Sequence, residues 1–422
     1  MEFFYNLGIY FYFLGARVAG LFNSKAAEFV SGRKHLIRRV AEGMRSRGDR
    51  DTVWFHCSSV GEFEQARPLI ERLKESAPEK FIVLTFFSPS GYRLRKDYRF
   101  ADSVFYLPMD TRRNVRRFLD IVRPSIAIFV KYEFWYNYLT SLSQRNVRTY
   151  IISAIFRPGQ IFFHWYGSFM RKALRAYTVP FVQNEESRRL LAAIGIDNAV
   201  IAGDTRFDQV EAVCRHNDLH SEVLECFISG YGAWVAGSTW DEDEYVISRA
   251  LRKLSGFKLI LVPHEVRPSH IRRILEMFSD YSVILYSECA GKAREYWKES
   301  AEAADILVVD TVGMLSRIYK YGSFAYIGGG FSGSGIHNIL EAAIYGCPVI
   351  FGPHYGKFQE AKDLVSLGGA FCISSWKELV PLLETWLSAP ESLERPSLIC
   401  TQYVESHLGA SDKIMEQIFK KG

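Results

Sequence analysis

Cysteine is scarce in this 422-residue chain, and the seven present stand apart. Cys57, Cys214, Cys226, Cys289, Cys347, Cys372 and Cys400 form no CxxC pair, so neither a zinc knuckle nor a disulfide framework is indicated. They read as reduced, mostly buried thiols. Excess charge is also small: 52 Lys and Arg against 47 Asp and Glu leave +5. The signs are mixed and no basic low-complexity tail occurs. That balance suits an anionic substrate or a membrane surface, and no nucleic acid is expected as a partner. The lysine and spacing of a P-loop are missing, as is an Asp-x-Asp metal motif in a suitable turn. No metal ion and no cofactor is therefore expected.

Aromatics, by contrast, are abundant at 15%, and many sit at the N-terminus. MEFFYNLGIYFYFLGARVAGLF is apolar except for Glu2, Asn6 and Arg17, and no small-residue cleavage site follows. Tyr and Phe at this density suit the lipid interface. Arg33, Lys34, Arg38 and Arg39 come next, a basic set matched to anionic headgroups. The competing reading is an aromatic helix docked on the protein's own core.

From Thr52 onward, short apolar runs alternate with amphipathic stretches. TVWFHC, FIVLTFF, SIAIFVK, RTYIISA and VPFVQ form one set; AWVAGS, FKLILVP, YSVILYS, ILVVDT, FAYIGG and PVIFGP form another. Continuous apolar strands separated by helices mean parallel strands buried on both faces. Two doubly wound Rossmann-like domains are expected, facing a central cleft, with a joint between Gly203 and Leu219. The expected divisions are an interfacial helix over 1–35, a first domain over 36–208, a second over 209–400, and a C-terminal helix over 401–422 crossing back to the first.

Two segments carry candidate chemistry. In GGGFSGSGIHNILEAAIYGCPVIFGP, strand SFAYIG runs into a glycine loop and then into a helix expected to begin near His337. Gly329 and Gly330 allow close backbone approach, and a helix N-terminus adds partial positive charge, an arrangement suited to phosphate. His337 and Glu341 would share one helical face with Asn338 beside them. Phosphate at the loop and polar side chains beside it suggest a nucleotide-sugar site. In WFHCSSVGEFEQARPLI, Glu62 follows a Ser-Ser-Val-Gly turn at a strand end. There it can take a proton from an incoming hydroxyl, or serve only as negative charge at a helix N-terminus.

These two segments together resemble the Kdo transferases, which move 3-deoxy-D-manno-octulosonic acid from CMP-Kdo onto lipid A precursors. SVGE here is similar to the family signature whose glutamate is the general base, which assigns that role to Glu62, with Ser59 and Gly61 in the same turn. Ser88, Pro89, Ser90 and Gly91 resemble its T-P-T-G turn, and VKYEFWYNYL its E-x-E-L-W-P-N segment, with Glu133, Trp135 and Asn137 matching. VAGSTWDEDE resembles A-S-T-H-x-x-E-E, and DTVGML resembles D-T-M-G-E-L, with Asp310, Thr311 and Gly313 matching. VPHEVRPSH departs from P-R-H-P-E-R, leaving His264 or Arg267 to supply the positive group.

The resemblance implies the glycosyltransferase B type of fold. It implies inverting, metal-independent transfer of Kdo from CMP-Kdo to the primary hydroxyl of lipid IVA, at the cytoplasmic face of the inner membrane. Its implied acceptor-side residues are Ser59, Gly61, Ser88, Ser90, Gly91 and Glu133. On the donor side it implies His264, Arg267, Thr311, Gly313, Gly329, Gly330, His337, Asn338 and Glu341. The alternatives are another nucleotide-sugar enzyme of the same fold, such as a UDP-GlcNAc 2-epimerase or a lipid-linked hexosyltransferase, and a non-catalytic sugar-nucleotide binding protein at the membrane.

Overall fold

The computed structural model describes residues 1–216, 219–229, 233–333 and 335–419. Part of the expected joint (217 and 218), Ser334 of the glycine loop and the last three residues lie outside that range. The chain forms two compact units, Met1–Gln209 with Leu408–Gly422, and Val210–His407.

The first unit holds strands β1 (Thr52–Cys57), β2 (Phe81–Phe86), β3 (Ser103–Tyr106), β4 (Pro124–Val130), β5 (Arg148–Ala154), β6 (Val179–Val182) and β7 (Val200–Ile201). They pair in the order β3-β2-β1-β4-β5-β6-β7, and every pair is parallel. Trp54, Val83, Phe129 and Ile151 enter one core cluster, while Val53, Phe55, Leu84 and Ile128 enter another. Alternate side chains thus bury both faces, which explains the unbroken apolar runs.

Its early helices are α1 (Glu2–Ala19), α2 (Ser24–Ser31), α3 (Leu36–Gly43), α4 (Val60–Ser76), α5 (Pro89–Arg95), α6 (Arg112–Val122) and α7 (Tyr136–Gln144). The helix Ala410–Phe419 also belongs to this unit. Its Ile414 and Ile418 join the cluster that holds Leu69, Ile70 and Leu73 of α4. Asp208 fastens its start, accepting from the Gly409 and Ser411 amides at 2.7 and 2.6 Å. The preceding helix Glu394–Ser406 stays in the second unit.

The second unit holds β8 (Ala233–Thr239), β9 (Lys258–Pro263), β10 (Val283–Leu285), β11 (Ile306–Val308), β12 (Gly322–Ile327), β13 (Val349–Phe351) and β14 (Ala370–Cys372). Their order is β10-β11-β9-β8-β12-β13-β14, again all parallel. The first sheet winds outward in both directions from its central pair β1–β4; the second turns about the pair β8–β12, with β10 at one edge and β11 returning between it and β9. Such switch points open a crevice at the strands' C-terminal ends, where ligands of open α/β sheets bind.

No described helix is long and apolar enough to cross a membrane. α1 has an inverted polarity for a surface helix. Its polar side chains hold it to the first unit: Tyr5 Oη donates to Asp110 Oδ2 at 2.6 Å, Tyr136 Oη donates to Glu2 Oε1 at 2.6 Å, and Asn137 Nδ2 donates to Asn6 Oδ1 at 3.0 Å. Phe3, Phe4, Tyr10, Phe11, Leu14 and Val18 are left exposed, and no residue of the helix is buried. One edge of α1 thus docks on the first unit, with Tyr5 packed against its core, and the rest of the apolar surface faces outward.

The basic set that follows divides. Arg33 donates to the carbonyls of Phe29, Phe87 and Leu107 between aromatic faces, and burial lowers its pKa to about 10. Arg39 donates to the Gly32 carbonyl, and Arg38 pairs with Glu42 at 2.8 Å. Of the four, Lys34 is the exposed cation with no carboxylate or carbonyl partner among the described residues. A uniform basic patch is not what the fold builds, because backbone carbonyls claim Arg33 and Arg39.

Candidate active site

Strand β1 ends at Cys57, and Ser59 caps α4. Glu62 closes a capping box: the Ser59 amide and hydroxyl donate to Glu62 Oε2 at 2.7 and 3.0 Å, and the Glu62 amide returns a 3.5 Å bond to Ser59 Oγ. Glu62 is thus a helix cap, as the structural reading had it. Burial and then the nearby Glu133 charge also raise its pKa, against the bonds from Ser59.

Glu133 follows β4 and is 5% exposed. Its pKa is lowered despite burial, chiefly through His56, with Ser58 and the Trp135 indole also donating to it. His56 Nε2 lies 3.2 Å from Glu133 Oε2. Thr85 holds the other ring nitrogen at 2.9 Å. One carboxylate is pushed up and its neighbour held down, the pattern by which a site separates a base from a permanent charge. His56 is the partner that sequence reading missed. Its only signal was a histidine inside an otherwise apolar central strand.

The next turn joins this one through the Ser88 amide, which donates to the Ser58 carbonyl at 2.8 Å. Ser88 caps α5, accepting from the Gly91 amide at 3.1 Å, and Ser90 Oγ lies 3.4 Å from Ser88 Oγ. A Cβ on Gly91 would stand 2.6 Å from the Phe86 ring, so glycine there is a packing need. Gly61 is exposed on the first turn of α4. Lys131, between β4 and Glu133, takes a positive φ of 65°, a strained geometry for a side-chain-bearing residue at the mouth of the site.

In the second unit the candidate residues stand at the ends of β8, β9 and β12. Trp240, His264 and His337 form a continuous stack, with ring centroids 4.5 and 4.4 Å apart. The Trp240 indole donates to His337 Nε2 at 3.2 Å, which assigns the His337 proton to Nδ1. Burial, and then His264, lower the His337 pKa to about 4; burial also lowers that of His264. At neutral pH His264 is therefore an uncharged ring rather than the missing cation. Arg267, the other candidate, pairs with Glu265 at 2.8 Å. It shares a cavity of about 450 Å³ with Arg272 and Asp310, beside Thr311. Thr311 Oγ1 contacts Met314 Sδ at 3.1 Å, and Gly313 sits exposed with φ 87°.

The glycine loop differs from expectation. The helix after it spans only Leu340–Ala343, so His337 and Asn338 precede it and no shared helical face exists. One turn supplies little dipole. Asn338 Nδ2 instead donates to Glu341 Oε1 at 3.1 Å, and Asn338 Oδ1 accepts from the Leu340 amide at 3.2 Å. A Cβ on Gly330 would meet the Gly352 amide at 2.4 Å, and one on Gly329 the Gly335 carbonyl at 2.5 Å. These glycines let strand-end backbones touch one another. Asp243 locks the loop, accepting from the Gly329 amide at 2.8 Å, the Trp240 amide at 3.0 Å and Tyr326 Oη at 2.8 Å. Among the described residues, Asp241, Glu244 and His270 are grouped closely enough for a cation. His270, Arg273 and Thr239 already engage those carboxylates.

Two parallel-sheet units with acid-bearing turns at their switch points define the glycosyltransferase B class of fold. UDP-GlcNAc 2-epimerase from Neisseria meningitidis bound to UDP-GlcNAc shares it, with a TM-score of 0.61 and 15% identity over 88% of this chain and 100% of that one. At that identity the likeness speaks to fold alone. Within the class, this chain is similar to the Kdo transferases. Residues 33–209 match the family model described as 3-deoxy-D-manno-octulosonic-acid transferase (kdotransferase). A 3-deoxy-D-manno-octulosonic acid transferase of Aquifex aeolicus is 26% identical over 355 residues, 82% of this chain and 88% of the relative. A bifunctional glycosyltransferase/methyltransferase of Fusobacterium nucleatum is 23% identical over 366 residues, and the match takes in 83% of this chain but only 55% of that protein's length.

Proposed function

We propose that this protein transfers Kdo from CMP-Kdo to the primary hydroxyl of a lipid IVA-type acceptor at a membrane surface. The observation that carries the reading is the carboxylate pair at the β1–β4 switch point. Glu62 is raised toward the range of a working base, while Glu133 is kept ionised beside His56. Glu62 takes the acceptor's hydroxyl proton. The freed oxygen forms a bond to the anomeric carbon of Kdo, and the bond from that carbon to the CMP phosphate oxygen breaks on the opposite face. The outcome is inversion and release of CMP. Glu133 stands beside His56, and its charge helps to raise the Glu62 pKa.

The second unit holds the donor in this scheme. The Trp240–His264–His337 stack offers a flat surface to a base or sugar, Asn338 and Glu341 offer hydrogen bonds, and Arg267 offers charge to the phosphate. Asp243 keeps the loop amides in place. Ala at Asn338 or Glu341 would weaken CMP binding while the second unit stays folded. Calorimetric titration reads this, and unchanged affinity in both variants removes them from the donor site.

The outward apolar face of α1 suits a lipid surface, and Ile161, Trp165 and Tyr166 add exposed apolar area in the same unit. A lipid acceptor would be met there. The testing experiment incubates the protein with lipid IVA and a CMP-Kdo generating system and weighs the lipid product. A Kdo-sized mass gain with release of CMP supports the reading; an unchanged lipid beside bound, unconsumed donor contradicts it.

A further inference from the structure

A cavity of about 590 Å³ lies in the first unit between α1, the start of α3 and the start of α6. Its volume is that of a small-molecule site. One wall is apolar and comes from α1: Ile9, Tyr10 and Phe13. The other is cationic, with Arg17, Lys34, Arg38 and Arg113, and no carboxylate among the described residues lines the cavity. Arg38 is matched by Glu42, and the neighbouring Arg112 by Glu2. Lys34 and Arg113 have no carboxylate partner among the described residues, and Arg17 rests over the Phe13 ring at 4.7 Å. The surplus of positive charge is therefore local to this cavity, in a chain of small net charge.

The backbone adds to it. α6 opens with Arg112 and Arg113 and no acidic residue behind a Thr111 cap, and α3 opens after His35 without a side-chain cap or an acid. Both starts line the cavity. Cations beside two helix N-termini are unfavourable unless an anion is present. The apolar wall belongs to the helix whose remaining face is exposed Phe and Tyr.

We infer that this cavity binds the phosphate headgroup of a membrane lipid, with the acyl chains running along α1. Charge complementarity selects the phosphate, and continuity with the exposed aromatic face selects a lipid over a soluble anion. A lipid held there would fix the orientation of the first unit on the bilayer, where a diffuse basic patch would fix only its affinity. The inference rests on the reading of α1 as a lipid-surface helix.

The test titrates the full-length protein calorimetrically with dihexanoylphosphatidylglycerol below its micelle concentration, and in parallel with inorganic phosphate. One-to-one lipid binding is expected in the wild type. The Lys34→Gln/Arg113→Gln variant should bind at least about tenfold more weakly. A Lys253→Gln/Arg395→Gln variant, which removes equal charge from the second unit, should bind as the wild type does. Equal weakening in both variants, no saturable binding, or phosphate binding as tightly as lipid each overturns the inference. Flotation with phosphatidylglycerol vesicles separates it from the reading beneath it. A wild type that floats yet ignores the short-chain lipid loses the cavity and keeps the membrane surface; one that binds the short-chain lipid yet does not float loses the membrane surface and keeps the cavity.

Discussion

Glu62 Oε2 accepts a 2.7 Å hydrogen bond from the Ser59 amide, so one carboxylate closes the cap of α4 and stands at the switch point of the first sheet. Gln can also close such a box. Glu62→Gln is therefore expected to leave the thermal unfolding midpoint nearly unchanged and to cost about 10²–10⁴-fold in turnover. A variant that loses stability and activity together assigns Glu62 to the cap alone.

Glu133→Gln removes the charge that, after burial, raises the Glu62 pKa. Activity requires ionised Glu62, so the rate of the wild type rises with pH through that raised value. In the variant the acid limb of the kcat/KM profile should move to lower pH. An acid limb that stays in place means the two carboxylates do not communicate.

His337 is held uncharged in the folded chain, with a pKa of about 4. The unfolded chain, with an ordinary histidine, binds more protons between that value and about 6.5. Stability of the second unit therefore rises with pH across this window and is lost as pH falls through it. His337→Gln should flatten that dependence, read as urea midpoints at about pH 5 and about pH 7. An equally steep dependence in the variant places the titration elsewhere.

Asp243 accepts three hydrogen bonds while 1% exposed. Asp243→Ala leaves their donors buried, so a loss of about 1–3 kcal/mol in the second unit is expected, with weaker CMP binding. Unfolding curves and CMP titration measure both. Unaltered CMP affinity in the folded variant would mean that the glycine loop does not touch the donor.

The parallel strands and the two-unit plan were legible because strands buried on both faces leave unbroken apolar runs, as in TVWFHC and FKLILVP. Glu62 was legible through its turn, yet its capping bond and its raised pKa depend on Ser59 and Glu133. The latter follows a strand adjacent in space but distant in sequence. The helix after the glycine loop was read too long because HNILEAAIYG has helical spacing; Asn338 bonds its own neighbours instead and delays the first turn. The stack of Trp240, His264 and His337 was invisible for another reason. It joins three strand ends, and no local period marks such a meeting.

Glu2, Asn6 and Arg17 read as interruptions of an apolar segment. Glu2 and Asn6 are instead what fastens α1 to α6 and α7, turning its aromatic face outward. Phe4→Ser with Phe11→Ser should therefore leave the melting temperature within about 2 °C, since exposed positions contribute little stability. Flotation with anionic vesicles should fall sharply, and CMP binding should persist. Full vesicle binding by this variant would put the lipid contact elsewhere.

The central claim is Kdo transfer driven by Glu62, and the product mass tests it most directly. Wild type and Glu62→Gln are each given lipid IVA and CMP-Kdo, and the lipid is weighed after one matched interval. The account predicts a Kdo-bearing lipid and free CMP from the wild type, and intact lipid with CMP-Kdo still bound by the variant. Equal amounts of Kdo-bearing lipid from both proteins would contradict it.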